Sequence, residues 1–219
     1  MTVGITGHRM DRLTPAKAIL VRERVDQVLA DVIEVVRKVA AEGAPWFAPP
    51  VPELRLISAL AEGSDRICAE AGLKQGFELD VALPFRSDVY AEDFPDPESR
   101  ADYEALKARA SRVLELPGER ATADAAYSLV GGAILAASDI LLAIWNGQGS
   151  GGRGGTADVV ATALSLGKPV IHVPIEPGAP VRLLWSGEGP AGGAWHSALE
   201  PPAEPFDRPH LEEALKALL

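Results

Sequence analysis

The sequence predicts an α/β fold, a three-layer α/β/α arrangement around a mainly parallel central sheet. Three observations predict it. Short apolar runs alternate with longer stretches whose apolar residues recur every three or four positions. The run Ile140–Trp145 is apolar without interruption, as strands covered on both faces are. Glycine and polar residues follow directly after these runs, where the carboxyl edge of a parallel sheet would lie.

The elements follow in order. Thr2 to Thr6 reads as a short buried strand that ends at Gly7-His8-Arg9. Thr14-Pro15 then supplies an N-cap and a proline at the first helical position. Val25, Val28, Leu29, Val32, Val36 and Val39 make one stripe on a long helix that stops before Gly43. After a proline-rich loop, Leu54 to Ala59 is the second strand, and Ser64 or Asp65 can cap the next helix, Arg66 to Lys74. Glu78 to Leu83 is the third strand. Residues 85–97 read as an aromatic loop long enough to be a lid. A helix over 98–110, a strand over 112–116 and a small-residue helix over 122–137 lead into the strand Ile140–Trp145. The glycine-dense stretch Asn146 to Gly155 precedes a helix over 156–166 and a strand over 169–173. Past Pro174 proline and glycine accumulate, with one more edge strand over 181–186 and a terminal helix over 209–219. Two regions are therefore expected: a domain over 1–174, and a Pro/Gly-rich extension over 175–219 ending in a short helix.

Composition narrows the function classes. A hydrophobic fraction of 47% with 24% charged residues is that of a globular chain rather than a disordered one. A lone cysteine, Cys68, excludes an intramolecular disulfide and reads as a small core residue. No apolar run reaches the ~18 residues of a membrane span, so no membrane partner is expected. The N-terminus carries no leader pattern, and a cytoplasmic location is expected. A formal net charge of -10 repels phosphate backbones over most of the surface, which predicts no nucleic-acid partner. No metal-ligand spacing, dinucleotide fingerprint or Walker lysine is present, so neither a metal nor a cofactor is expected.

The chemistry should sit just after the strands. The segments there are Gly7-His8-Arg9, Ala61 to Arg66, Pro84-Phe85-Arg86 and Asn146 to Thr156. Glycines at 147, 149, 151, 152, 154 and 155 let backbone amides approach an anion with no Cβ in the way. The helix that starts at Thr156 directs a partial positive charge at the same place. Arg9, Arg66 and Arg86 are candidate anion ligands, with Arg9 ahead of Arg66, which could instead pair with Asp65 or Glu70. His8 reads as a loop hydrogen-bonder before a catalyst. Asp158 and Glu62 are the candidate catalytic carboxylates, against the simpler role of a charge at a helix start or in a loop.

These segments carry a resemblance. They are Val3-Gly4-Ile5-Thr6-Gly7-His8-Arg9, Ser58 to Arg66, and Leu83-Pro84-Phe85 with Tyr90 and Asp93-Phe94. The last is Ser138-Asp139 through Trp145-Asn146-Gly147 to Gly154-Gly155-Thr156-Ala157-Asp158. In this order the set resembles the SLOG superfamily of Rossmann-like nucleotide-binding domains. That group includes the LOG hydrolases and DNA-processing protein A. The resemblance covers roughly residues 2–174. It implies that a nucleotide or nucleotide-derived ligand is bound over the glycine loop. Ligand contacts are expected from Gly7, His8, Arg9, Ser58, Gly63, Ser64, Asp65, Arg66, Pro84, Phe85, Asn146, Gly147, Gly154, Gly155 and Thr156.

The pattern also departs from LOG hydrolases. Their P-G-G-x-G-T-x-x-E motif ends in a catalytic glutamate, and Val159 stands at that position here. Asp158 is one residue earlier and points about 100° away on a helix. Three readings follow. One is a domain that binds or senses a nucleotide-like small molecule without cleaving it. The second is an N-glycosidic hydrolase or transferase using Asp158 or Glu62. The third, DNA binding of the processing-protein type, wants a basic face that a net charge of -10 opposes. Whether the chain is an enzyme is left open at this stage. The helix over 122–137 is small enough for close packing, either on the sheet or against a second copy in a homodimer.

Overall fold

The computed structural model describes residues 1–43, 52–149, 155–185 and 203–218. Among them eight strands form one sheet in the order β4-β3-β2-β1-β5-β6-β7-β8. The strands are β1 (Thr2–Gly7), β2 (Arg55–Ser58), β3 (Glu78–Leu83), β4 (Arg112–Glu115), β5 (Ile140–Trp145), β6 (Val170–Pro174), β7 (Arg182–Leu184) and β8 (Ala203–Pro205). All pairings from β4 to β6 are parallel, and β7 and β8 add antiparallel edges. The protein is thus an α/β, Rossmann-like fold with a mainly parallel sheet.

Seven α-helices accompany the sheet among the described residues: α1 (Pro15–Glu42), α2 (Ser64–Lys74), α3 (Ser87–Tyr90), α4 (Pro97–Ala108), α5 (Ala123–Ala137), α6 (Thr156–Ser165) and α7 (Arg208–Lys216). Helix α1 contacts α2 and α7, while α5 packs on β1, β2, β3 and α6. The alternation of β5 shows why both faces are apolar. Ile140, Leu142 and Ile144 join the core that contains α1, whereas Leu141, Ala143 and Trp145 join the one that contains α6. Thr14 caps α1 by accepting from the Lys17 N–H at 3.4 Å, with Pro15 following as the sequence predicts.

Chain order creates the functional edge. From β1 the chain moves outward to β2, β3 and β4, then returns past β1 to β5 on its other side. Connections therefore diverge on either side of the β1/β5 boundary and leave a crevice at the carboxyl ends of these strands. Gly7 is paired with Ile144 at that end.

Three local expectations change. Ser64 is the first residue of α2 rather than its cap, and Gly63 is the N-cap with no side-chain bond. The Ser64 hydroxyl instead donates to the His8 carbonyl at 2.8 Å. The expected lid over 85–97 is a packed plug containing α3 and a 3-10 turn, because Phe85, Tyr90 and Phe94 are buried and stacked on Tyr103 and Tyr127. The edge strand expected over 181–186 is confined to Arg182–Leu184, against β6. No helix among the described residues is long and apolar enough to cross a membrane.

Candidate functional site

A cleft of ≈ 490 Å³ occupies the crevice above β1 and β5. Its walls come from five places: the end of β1 and the turn after it, the turn after β2 with Asp65, Tyr90 of the aromatic plug, the α5 face from Tyr127 to Ile134, and residues of the segment after β5 and the start of α6. The size suits a ligand of a few hundred daltons.

The turn after β1 is held from both sides. The His8 N–H donates to the Ile144 carbonyl at 3.0 Å, and the Ser64 N–H donates to the His8 carbonyl at 3.1 Å. The Asn146 N–H donates to His8 Nε2 at 3.3 Å, so that nitrogen carries no proton. Burial lowers the pKa of His8, and Arg12 and Lys17 act in the same direction. The folded ring therefore resists protonation, and stability is lost as pH falls from about 6.5 down through the lower folded value. A Cβ on Gly7 would lie 2.5 Å from Ser64 Cβ and 3.0 Å from Ile144 Cβ, so this close approach needs glycine.

Arg9 projects from this turn, with half its side chain exposed. Its guanidinium lies 5.2 Å from the Tyr127 ring centroid, and its ion pair with Asp93 is long, at 4.0 Å. Burial opposes its charge, but Tyr127, Tyr90 and Asp93 outweigh that and raise its pKa further. Asp93 already pairs with Arg120 and accepts the Tyr127 hydroxyl at 2.5 Å. Arg9 is thus positioned without being consumed by a strong ion pair. Tyr127→Phe removes one of the bonds to Asp93 and is expected to lower stability by about 1–2 kcal/mol in chemical denaturation.

Asp65 is the buried charge of the site, 6% exposed. Its Oδ2 accepts the Ala61 N–H at 3.3 Å. Burial pushes its pKa up to about 6, against the pull of the Ala61 N–H, the Ser58 hydroxyl and the Arg9 charge. An acid with a raised folded pKa binds its proton more tightly when folded. Stability therefore falls as pH rises from about 4 to about 6, and the cost of order 2–3 kcal/mol persists above that. Asp65→Asn is accordingly expected to be more stable than the wild type at pH 7, with the gap closing at pH 4–5. Urea midpoints of both proteins at the two pH values check this.

The sequence candidates divide by position. Gly7, His8, Arg9, Asp65, Asn146, Gly155 and Thr156 line the cleft. Ser58 lies beneath it, fully buried, with its Oγ accepting the Leu60 N–H at 3.1 Å. Gly63 and Ser64 stand behind the His8–Arg9 turn. Arg66 turns away from the cleft: it donates to the Leu60 carbonyl and to Ser99, and stacks 4.3 Å from the Phe94 centroid. Arg86 pairs with Asp88 at the surface. Pro84, Phe85 and Gly147 are not among the lining residues, and Phe85 is packed in the aromatic plug. Gly154 lies outside the described residues, as do Gly151, Gly152 and Arg153. Neither candidate carboxylate lines the cleft. Glu62 accepts the Ser99 hydroxyl, and Asp158 sits in the first turn of α6.

Sequence reasoning did not single out Tyr127, Asp11, Arg12, Gln148 or the α5 wall of Val130, Gly131 and Ile134. The only signal for Tyr127 was an aromatic residue in an otherwise small-residue helix. Gly131 fits the wall because a Cβ there would come within 3.0 Å of Val159 Cγ2.

No family model matches the chain, and no curated protein does. Among solved structures it is similar to DNA processing protein A from Helicobacter pylori, at 18% identity and a TM-score of 0.45, covering 81% of this chain and 67% of that one. It is also similar to DNA processing protein A from Streptococcus pneumoniae, at 16% identity and a TM-score of 0.45, covering 79% of this chain and half of that one. A third similar structure is the Moco carrier protein of Chlamydomonas rheinhardtii, at 15% identity and a TM-score of 0.39, covering 78% of this chain and 74% of that one. All three TM-scores lie below 0.5, and the function is therefore read from the cleft.

One expectation is corrected here. The net charge of -10 predicts no nucleic-acid partner, yet the similar H. pylori protein binds single-stranded DNA. The physical reason is that net charge sums the whole surface. Charges more than about 8–10 Å apart are screened, so a local face sets the contact.

Proposed function

We propose that the cleft binds a nucleotide or nucleotide-derived small molecule, with its phosphate at the first turn of α6 and Arg9 as counter-charge. One observation carries this reading. The crevice at the β1/β5 boundary brings the Gly7–Arg9 turn, the Asn146–Gly149 segment and the start of α6 around one open space. Amides of a helix's first turn lack partners inside the helix and point along its axis, which favours an anion there. The apolar wall of Ile5, Val130, Ile134 and Val159 suits a base.

The role is binding or sensing. The hydrolase reading keeps one supporting observation, that a buried carboxylate with a raised pKa does line the cleft. That carboxylate is Asp65 rather than Asp158 or Glu62. Calorimetric titration with inorganic phosphate, the four ribonucleoside 5′-monophosphates and a single-stranded oligonucleotide tests the proposal. Saturable nucleotide binding without release of free base supports a binding role, and release of base that Asp65→Asn abolishes supports hydrolysis. Binding of none of the probes contradicts both.

A further inference from the structure

Asp65 has a feature that anion binding does not explain. A carboxylate buried in an anion-accepting cleft repels the ligand's phosphate and costs stability at neutral pH. Groups facing it are Arg9 from the turn after β1, Tyr90 from the aromatic plug, and Arg66 and Cys68 from its own helix. Arg66 donates to Leu60 and Ser99 through Nε and Nη1, and its buried Nη2 has no hydrogen-bond partner. Resting on the nucleotide reading above, we propose that Asp65 accepts the ribose hydroxyls of the ligand and so selects ribonucleotides over sugars without a diol.

Three walls of different chemistry support this. The start of α6 takes an anion, the Val130–Ile134 wall takes an apolar ring, and the Asp65 floor takes only hydrogen-bond donors. A nucleotide carries all three: an anion, a ring and a diol. The Ala61 N–H at 3.3 Å, the Ala59 N–H and the Ser58 hydroxyl leave the carboxylate capacity for one further donor, since it accepts about four bonds. Vicinal hydroxyls matched to a carboxylate are a common means of ribose recognition in Rossmann-like folds.

The test compares the four ribonucleoside 5′-monophosphates with their 2′,3′-dideoxy counterparts by calorimetry on the full chain. At pH 7.5 the ribonucleotide is expected to bind roughly tenfold or more tightly than its dideoxy form. Asp65→Asn is expected to remove most of that preference while binding inorganic phosphate as well as or better than the wild type. In the wild type alone, the preference should shrink between pH 7.5 and 5 as Asp65 takes up a proton, a readout independent of how the variant folds. Protonation of His8 and the charges of Arg9, Asp11 and Arg12 act on both nucleotides alike and cancel in the ratio. Equal binding of the two forms overturns the role of Asp65 and leaves the nucleotide reading standing. Binding of neither nucleotide overturns both.

Discussion

Gly63→Ala is expected to lower stability by about 3 kcal/mol or more and to weaken every interaction made by the His8–Arg9 turn. Gly63 has φ 96° and ψ -121°, a region essentially closed to residues with a side chain, at a cost of roughly 1–3 kcal/mol. A Cβ there would lie 2.8 Å from the His8 carbonyl oxygen and 3.0 Å from Arg9 C and Met10 N. These are backbone atoms, so no side chain can swing aside. Relief requires moving the turn, which breaks the two bonds from Ser64 to the His8 carbonyl. In a domain of this size the melting temperature should drop by about 10 °C. An unchanged melting temperature with unchanged ligand binding would show that the turn is not anchored as described.

Arg9→Gln is expected to weaken phosphate or nucleotide binding by roughly 10–100-fold, the range of one charge-assisted hydrogen bond in a partly desolvated cleft. Its effect on stability should be small. The Arg9 side chain is half exposed, its ion pair with Asp93 is long at 4.0 Å, and Asp93 keeps Arg120 and Tyr127. Arg66→Gln should behave in the opposite way. That guanidinium is buried, bonds Leu60 and Ser99 and stacks on Phe94, so its loss should lower stability while affecting the ligand only indirectly. Calorimetry and denaturation on the two variants separate these roles. Equal binding losses would mean that the charge of the cleft is not local to Arg9.

The contrast between the two arginines marks what the sequence could convey. Strands and helices were legible because their burial is periodic: β5 is apolar throughout, and the α1 stripe buries Val25, Val28, Leu29, Val32, Val36 and Val39. The Thr14-Pro15 cap was legible because its chemistry is local. Arg9 and Arg66 both follow strands, and no local pattern says which one faces the cleft. That choice is made by Ser99 and Phe94, some 30 residues further on. Tyr127 was hidden for a related reason, since its value comes from Asp93 and Arg9 on other elements. Asp158 and Glu62 were plausible carboxylates by spacing, yet Asp65 is the one that burial places in the cleft. The charge argument against nucleic acid failed because a sum over the chain carries no information about where charge sits.

The proposed anion-accepting cleft joins the β1 turn, the segment after β5 and the start of α6. Its most direct test is an amide NMR titration of the full chain with inorganic phosphate and then with a ribonucleoside 5′-monophosphate. The expected result is a saturable shift of the amides of Gly7, His8, Arg9, Asn146, Gly155, Thr156 and Ala157, lost in Arg9→Gln. Shifts confined to the β7–β8 side of the sheet, or no shift at millimolar ligand, would contradict it.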